Sequence, residues 1–339
     1  QSDELYDGRD WSGRAEGQPF FAQIQLGGGK TRNARPGERV NPEAVVLPPH
    51  YPDDAVLRED WARYLNSVKL VDLQVEEIFA RLEAEGLREN TVVFFFTDHG
   101  ISHARGKQFC YEEGAHIPLI VWGEAYVGEG VRDELVSHID IAATSLSLAG
   151  MDIPGYMEAR PLFGEDAQAR EYVITARDRC DETVDRIRSV RKGDYLYIRN
   201  YLPQRPLLQP NAYKDNKGYM IRLRELHEAG QLNFLQEKLL FASERPEEEL
   251  YNLSLDPHQY INLAADPHME PQLEEMRTIL ANWIKETGDQ GQTFEPYEVL
   301  VKENQLFIES LENERNLPER AQTMRDNLAL MKRWAEQGK

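Results

Sequence analysis

Apolar residues at positions 57–82 recur every three or four residues, which is the spacing of one face of an α-helix. Asp53 and Asp54 stand before this stretch and Gly86 stands after it, and these residue types favour the first and last positions of helices. The pattern predicts one long amphipathic helix. A shorter helix is predicted over residues 139–149.

Two short apolar runs, residues 92–96 and 117–122, contain no alternation of polar positions. Such runs beside a helix are typical of strands buried on both faces, as in a parallel sheet flanked by helices. Residues 19–26 alternate after a proline and predict a further strand that opens into a loop. The predicted fold class is therefore α/β, with a mostly parallel central sheet flanked by helices.

The pattern changes after about residue 161, where short apolar segments are joined by tight polar turns and predict a smaller antiparallel sheet. The predicted strands are residues 172–176, 187–191 and 194–199, and the predicted helices are residues 220–241 and 270–286. We therefore expect three parts: residues 1–160 in an α/β domain, residues 161–291 in an antiparallel α+β subdomain, and residues 292–339 in a charged helical extension.

Charge and composition exclude several classes of function. Lys and Arg total 39 against 59 Asp and Glu, a formal net charge of -20, which repels polyanions unless basic groups gather locally. No nucleic-acid partner is expected, and no apolar run approaches the roughly 18 residues of a membrane helix. The two cysteines, Cys110 and Cys180, are too few for a disulfide scaffold and lack zinc-site spacing.

The sharpest chemical signal is Asp98 followed by His99, directly after the apolar run 92–96. In open α/β sheets ligands bind outside the carboxyl ends of strands, so an acid and an imidazole at this point favour a functional site. The alternative is that Asp98 caps the next turn and His99 is a core histidine.

Several segments in this region resemble the sulfatase family in order and spacing. They are ENTVVFFFTDHG at 89–100, RGK at 105–107, YEEG at 111–114, IPLIV at 117–121 and VSHID at 136–140. The resemblance extends over nearly all of residues 19–290 and is nearest to the heparan N-sulfatase (sulfamidase) and bacterial polysaccharide sulfatase branch. It implies an alkaline phosphatase-like fold and hydrolysis of sulfate esters by a formylglycine, made from Cys or Ser, beside a calcium ion.

The resemblance also implies roles for single residues. Asp98 matches a metal ligand, and His99 stands at a further ligand position, although calcium prefers oxygen. Lys107 matches the basic residue that holds the sulfate, a cation that would neutralise charge in the transition state. Lys30 stands where many members have a sulfate-contacting histidine, and it lies in a basic stretch with Arg32, Arg35 and Arg39.

Three further residues are candidates with open alternatives. His103 is a candidate proton donor to the leaving group, or else a solvated loop histidine. His116 lies where relatives often place a basic residue near the pocket, and Arg177 follows a predicted strand from which it would contact a sugar sulfate or carboxylate. The alternative for Arg177 is an ordinary charged turn.

The family's nucleophile lies in a motif of Cys or Ser, any residue, Pro or Ala, any residue, and Arg, and neither Cys110 nor Cys180 fits it. We therefore expect the chain to be inactive alone and to need an N-terminal portion of the same protein. The resemblance implies a sulfated oligosaccharide or polysaccharide substrate, a Ca²⁺ cofactor, and a periplasmic or secreted location. A phosphate or phosphonate ester hydrolase of the same superfamily and a noncatalytic carbohydrate-binding relative remain alternatives.

Overall fold

The computed structural model describes residues 6–28, 38–291, 293 and 295–339. The chain forms two compact units. The first comprises Gln1–Leu47 and Asp53–Arg88, and the second comprises Pro48–Pro52 and Glu89–Lys339. Among the described residues, no helix is both long enough and apolar enough to cross a membrane.

Helix α1, Ala55–Ala84, dominates the first unit and confirms the long helix predicted from the apolar spacing. The Asp54 carboxylate accepts a hydrogen bond from the Val56 amide at 2.9 Å, and Gly86 follows the helix with a φ of 66°. Short 3₁₀ helices lie at Trp11–Gly13 and Pro42–Ala44.

The predicted strand at residues 19–26 is wrong, because the described chain there forms no strand. Phe21, one of its apolar positions, is 70% exposed. A strand is stable only when a neighbour accepts its backbone hydrogen bonds, and alternation along one segment carries no information about that neighbour.

The second unit contains the two apolar runs as strands β1, Val93–Phe96, and β2, Leu119–Trp122. They pair antiparallel, with Val93 opposite Trp122 and Phe96 opposite Leu119, so the expected parallel direction is wrong for this pair. An apolar run indicates that a strand is buried, but it does not indicate whether the strand pairs parallel or antiparallel with its neighbour. The connection between the strands contains only the four-residue helix α2, Glu112–Ala115, and no long crossover helix.

A four-stranded sheet confirms the predicted antiparallel part. Its strands are β3, Val173–Cys180; β4, Thr183–Lys192; β5, Tyr195–Asn200; and β6, Glu248–Asn252. They pair antiparallel in chain order, with an irregularity between Arg177 and Arg179. Helix α6, Glu270–Thr287, covers one face of this sheet, where Met276 and Leu280 pack with Val190 and Leu250.

The remaining helices of the second unit follow the predicted order with one difference. They are α3, Asp140–Leu148; α4, Gly218–Glu228; α5, Phe234–Gln236, which continues as the π-helix Glu237–Phe241; the 3₁₀ turn Pro267–Met269; α7, Tyr297–Asn313; and α8, Pro318–Glu336. A further 3₁₀ turn, Arg88–Asn90, begins at the last residue of the first unit. The single helix predicted over residues 220–241 is divided at Gly230, which has a φ of 63°.

Helices α7 and α8 share a small core that includes Ile308, Leu311, Met324 and Leu328. The helical character expected after residue 292 is therefore present. The domain boundaries at residues 160 and 291 stay a prediction.

Candidate functional site

The loop between β1 and β2, residues 97–118, is folded closely onto itself. The Lys107 amide donates to the Ile101 carbonyl at 2.7 Å, and the Gly100 amide donates to the Gly114 carbonyl at 3.0 Å. A Cβ atom at Gly106 would lie 1.9 Å from the Ile101 oxygen, far inside van der Waals contact. Glycine is therefore required beside Lys107, and the RGK segment fixes the position of this lysine.

Asp98 and His99 begin this loop where β1 ends. The Asp98 side chain is 84% exposed, and its Oδ1 lies 3.5 Å from His99 Nε2. His99 Nδ1 lies 2.8 Å from the Gly100 carbonyl oxygen, which can only accept, so Nδ1 carries the proton and Nε2 keeps a lone pair in the neutral ring. Since the His99 side chain is 35% exposed, the alternative of a core histidine does not hold.

These two residues do not make a complete calcium site. Calcium takes about six to eight oxygen ligands. No group of three or more His, Cys, Asp or Glu residues in the described part of the chain is arranged to hold a metal ion. Asp98 supplies one accessible carboxylate, and His99 supplies nitrogen.

Lys107 shares an aromatic ring with a second lysine. Its Nζ lies 5.1 Å from the centroid of the Tyr213 ring, and Lys217 Nζ lies 4.4 Å from the same centroid. Burial alone would raise the pKa of Tyr213, but the charges of Lys217 and Lys107 help to hold it below its ordinary value. We call Lys107, Tyr213 and Lys217 the lysine–tyrosine pocket.

Two buried cations lie behind this pocket, on the ring of Phe109. Arg177 Cζ and Lys214 Nζ lie 4.9 Å and 4.8 Å from the ring centroid. Lys214 is only 3% exposed. Burial, followed by the charges of Arg177, Lys107 and Lys217, lowers the pKa of Lys214 to about 7. Four basic groups therefore concentrate in one region of an acidic protein.

Each buried cation also has hydrogen-bond or ion-pair partners. Lys214 Nζ donates to the carbonyls of His103 at 2.9 Å and Ala104 at 3.3 Å. Arg177 NH1 lies 3.5 Å from Asp185 Oδ2. Lys214 thus ties the loop that carries Lys107 to the segment that carries Tyr213.

Neither cysteine has the properties of a nucleophile. Burial raises the pKa of the Cys110 thiol to about 12. Burial likewise raises the pKa of Cys180, whose Sγ accepts a hydrogen bond from Gln108 Nε2 at 3.0 Å. Both thiols are protonated near neutral pH, which agrees with their lack of the nucleophile motif.

The structure places His103 and His116 in different surroundings. His103 is 2% exposed and lies against the rings of Tyr51 and Tyr219, with centroid distances of 6.2 Å and 5.1 Å. The alternative of a solvated loop histidine is therefore wrong. The His116 side chain is 76% exposed, and its Nδ1 lies 3.0 Å from Glu112 Oε2, a contact that raises the pKa of His116.

The other candidates are one buried arginine, three residues outside the described part of the chain, and one exposed arginine in an ion pair. Arg177 is 8% exposed on β3 and is not part of a solvated turn. Lys30, Arg32 and Arg35 lie outside the described residues. Arg39 is described and forms an ion pair with Glu59 in the first unit.

Sequence reasoning missed Tyr213, Lys214 and Lys217, which lie more than a hundred positions after Lys107. One local signal was available, because Lys217 is the N-cap residue of α4 and makes no side-chain cap hydrogen bond. The helix dipole disfavours a cation at that end, so a lysine there calls for another explanation.

A buried histidine was also missed. His50 is fully buried, with Nδ1 2.9 Å from the Tyr260 hydroxyl and Nε2 3.1 Å from Glu113 Oε1. Arg105, 1% exposed, donates to the His258 carbonyl at 2.9 Å. These contacts hold the 97–118 loop against residues 256–260, which indicates a structural role for His50 and Arg105.

Comparison with known proteins identifies the family. Residues 4–151 match the family model described as Sulfatase. An ulvan-active sulfatase of Formosa agariphila is 34% identical over 245 residues, which cover 72% of this chain and 41% of that protein. The N-sulphoglucosamine sulphohydrolase of Homo sapiens is 26% identical over 296 residues, which cover 79% of this chain and 56% of that protein.

A solved structure shows the same fold. A protein in complex with its substrate, D-glucosamine-2-N,6-O-disulfate, superposes with a TM-score of 0.51 at 18% identity, covering 72% of this chain and 45% of that one. The chain thus spans about half the length of these three proteins. By its family match and its relatives, the chain belongs to the sulfatase family.

Proposed function

We propose that this chain is part of a hydrolase that removes sulfate from an ester or N-sulfate group of a sulfated oligosaccharide or polysaccharide. The observation that carries the proposal is the position of Lys107. It lies within the family match, on a loop fixed by Gly106, and its ammonium group faces Tyr213 among further cations. The relatives named above act on ulvan and on N-sulphoglucosamine by their descriptions, and both are sulfated saccharides.

Lys107 would bind the sulfate oxygens and neutralise the charge that develops as the bond to the leaving oxygen or nitrogen breaks. A preorganised donor of this kind acts without reorganisation at the moment of reaction. Arg177 and Lys214 are too buried to reach a substrate directly, but their charges add to the positive potential around Lys107. We assign Arg177 to sulfate binding through this potential.

Sulfatases generally use a metal ion. We propose calcium, with the exposed Asp98 carboxylate as one ligand and His99 Nε2 as a weaker one. When bound, the metal would supply positive charge to the sulfate oxygens. The remaining oxygen ligands and the formylglycine would come from a portion of the protein outside residues 1–339, and we expect this chain to be inactive without it.

The remaining assignments concern the surroundings of the pocket. Lys30 is proposed to bind sulfate, and the exposed His116 is proposed to contact the saccharide, since the hydrogen bond to Glu112 raises the pKa of His116 and favours its positive form. His103 is proposed as the proton donor to the leaving group, from its buried position against the Tyr219 ring. We also propose a periplasmic or secreted location, where sulfated polysaccharides are met.

The test is release of sulfate from a panel of sulfated di- and oligosaccharides by the protein that joins this chain to the formylglycine segment. The expected result is sulfate release that falls strongly in Lys107→Ala and is unchanged in Lys285→Ala, an exposed lysine near the end of α6. A higher kcat/KM for phosphate esters than for any sulfated sugar would overturn the proposal in favour of a phosphatase. Saccharide binding without any turnover would overturn it in favour of a binding protein.

A further inference from the structure

We propose that Lys217 and Tyr213 form a second anion subsite beside Lys107, which binds a further sulfate or carboxylate group of the same saccharide. The inference rests on the proposed function, in which Lys107 holds the sulfate that is removed. It assigns a specificity role to two residues outside the 97–118 loop.

The ammonium groups of both lysines lie near the ring of the same tyrosine. The distances from the Tyr213 centroid to Lys107 Nζ and Lys217 Nζ are 5.1 Å and 4.4 Å. Because both distances are measured to the same ring centroid, their sum is an upper limit on the distance between the two ammonium groups. A separation within this limit is compatible with two anionic substituents of one sugar, each paired with one of the two cations.

Neither lysine is neutralised by the protein. In the described part of the chain, carboxylates form no ion pair with Lys107 or Lys217. Lys192, by contrast, contacts both Glu171 and Glu275. In a chain of net charge -20, acidic partners are abundant, so two unpaired lysines on one ring are available to an external anion.

The surroundings of Lys214 support the same conclusion. Besides the two carbonyls to which it donates, the titratable groups around its ammonium are Arg177, Lys107, Lys217 and the Cys180 thiol. Burial and the three cations disfavour its protonation. The potential in this region is therefore positive. An anion bound at the pocket would offset that potential and would be accompanied by proton uptake at Lys214.

A purely structural role is the competing explanation, in which Lys217 only packs its charge on the Tyr213 ring. Two substitutions separate the possibilities. Lys217→Met removes the charge and keeps the stem, and Lys217→Arg keeps the charge. Lys285→Met, on an exposed helix position, is the matched control for loss of one lysine charge.

The experiment uses the complete, formylglycine-bearing protein and two probes: glucosamine with N- and 6-O-sulfate, and glucosamine with the 6-O-sulfate alone. For Lys217→Met we expect KM to rise about tenfold or more for the disulfated sugar and less than about twofold for the monosulfated one, with kcat nearly unchanged. Lys217→Arg should restore most of the difference, and Lys285→Met should cause none. Equal effects on both sugars, or no effect on either, would overturn the inference.

A third probe identifies the second anion. In a disaccharide of 6-O-sulfated glucosamine and a uronic acid, a carboxylate replaces the second sulfate, so sensitivity of this probe to Lys217→Met assigns the subsite to carboxylate. Calorimetric binding of the disulfated sugar to the same variants separates the two proposals. Binding that depends on Lys217 without any turnover would overturn the proposed function alone. Turnover with binding independent of Lys217 would overturn the subsite alone.

Discussion

The backbone and the side chain of Lys107 make different contacts. The amide holds the loop through its 2.7 Å hydrogen bond to Ile101, and the ammonium group lies over Tyr213. Removing the side chain should therefore leave the loop in place. We expect Lys107→Ala to cost about 2 to 4 kcal/mol of transition-state stabilisation, by analogy with loss of one oxyanion donor.

That cost corresponds to a fall in kcat/KM of roughly thirtyfold to a thousandfold. Steady-state kinetics on the complete protein, with a melting curve for each variant, checks it. A fall of less than about tenfold at an unchanged melting temperature would show that Lys107 is only a surface charge.

Asp98 is suited to an experiment that separates metal binding from folding. Its side chain is 84% exposed, and substitutions at such positions usually change stability by no more than about 0.5 kcal/mol. We expect Asp98→Asn to lose turnover and bound metal in the complete protein, with the melting temperature of the metal-free form unchanged. Elemental analysis of the purified variant measures the metal, and full metal content with full activity would disprove the assignment.

Lys214 makes stability depend on pH in a direction that can be stated in advance. Burial and neighbouring cations lower its pKa from the ordinary value of 10.5 to about 7. Between these values the unfolded chain holds the proton and the folded chain does not, so the free energy of unfolding rises with pH over this window. Below pH 7 both states are protonated, and this contribution to the slope disappears.

The comparison with Lys214→Met isolates this group, since other titrations occur in both proteins. Loss of the hydrogen bonds to His103 and Ala104 adds a constant offset. We expect the stability of the wild type relative to Lys214→Met to increase between about pH 6.5 and pH 9, as measured by chemical denaturation. A difference that does not change with pH would mean that Lys214 titrates outside this range.

At the scale of elements, the 97–118 loop depends on glycine at positions of close backbone approach. A Cβ at Gly106 would lie 1.9 Å from the Ile101 oxygen, so Gly106→Ala must move the backbone next to Lys107. Overpacking of this kind costs about 1 to 3 kcal/mol. Gly128→Ala is the control, because no atom lies within 4 Å of the added Cβ and no left-handed φ is required.

We expect Gly106→Ala to lower the denaturation midpoint and to lower kcat/KM further than its loss of folded protein explains. Gly128→Ala should change neither. Equal midpoints for the two variants would show that the loop relaxes around the added methyl group.

The elements that the sequence predicts well are those whose determinants are local. Helix α1 has its apolar spacing, its Asp54 cap and its Gly86 end within one stretch of chain. The direction in which β1 and β2 pair depends on two segments and their connection, and an apolar run does not encode it. The strand expected at residues 19–26 failed for the same reason, because alternation does not supply a partner.

In the candidate site, too, the residues that the sequence predicts are those in one local segment. Asp98, His99 and Lys107 lie in one continuous segment whose motif is visible in the sequence. Tyr213 and Lys217 reach Lys107 only through the tertiary fold, so no spacing along the chain reveals them. His50 is similar, since its partners Glu113 and Tyr260 lie far from it in sequence.

On the scale of the whole molecule, the charge distribution sets the conditions for binding a polyanion. The chain's net charge of -20 repels a sulfated polysaccharide at long range, while the lysine–tyrosine pocket is proposed to attract one locally. At physiological ionic strength, salt largely screens interactions between exposed charges that are more than about 8 to 10 Å apart. Interactions between closer charges are screened less. The proposed contact between a sulfate group and Lys107 or Lys217 would be closer than this distance, so the net salt dependence would follow the balance of repulsion and attraction.

Because the proposed binding groups are cations that would contact the anions directly, we expect the attraction to dominate. Binding of a sulfated oligosaccharide to the complete protein should weaken steadily as salt rises from about 0.05 M to 0.5 M, where the screening length falls to a few ångströms. Lys217→Met should reduce the slope of log Kd against log salt concentration, since one ion contact is lost. Joint replacement of Arg32 and Arg35 by glutamine should raise KM more than it lowers kcat if the basic stretch guides the substrate. Affinity that rises with salt would instead mean that repulsion by the acidic surface governs binding, and that the four basic groups around Phe109 and Tyr213 serve the fold alone.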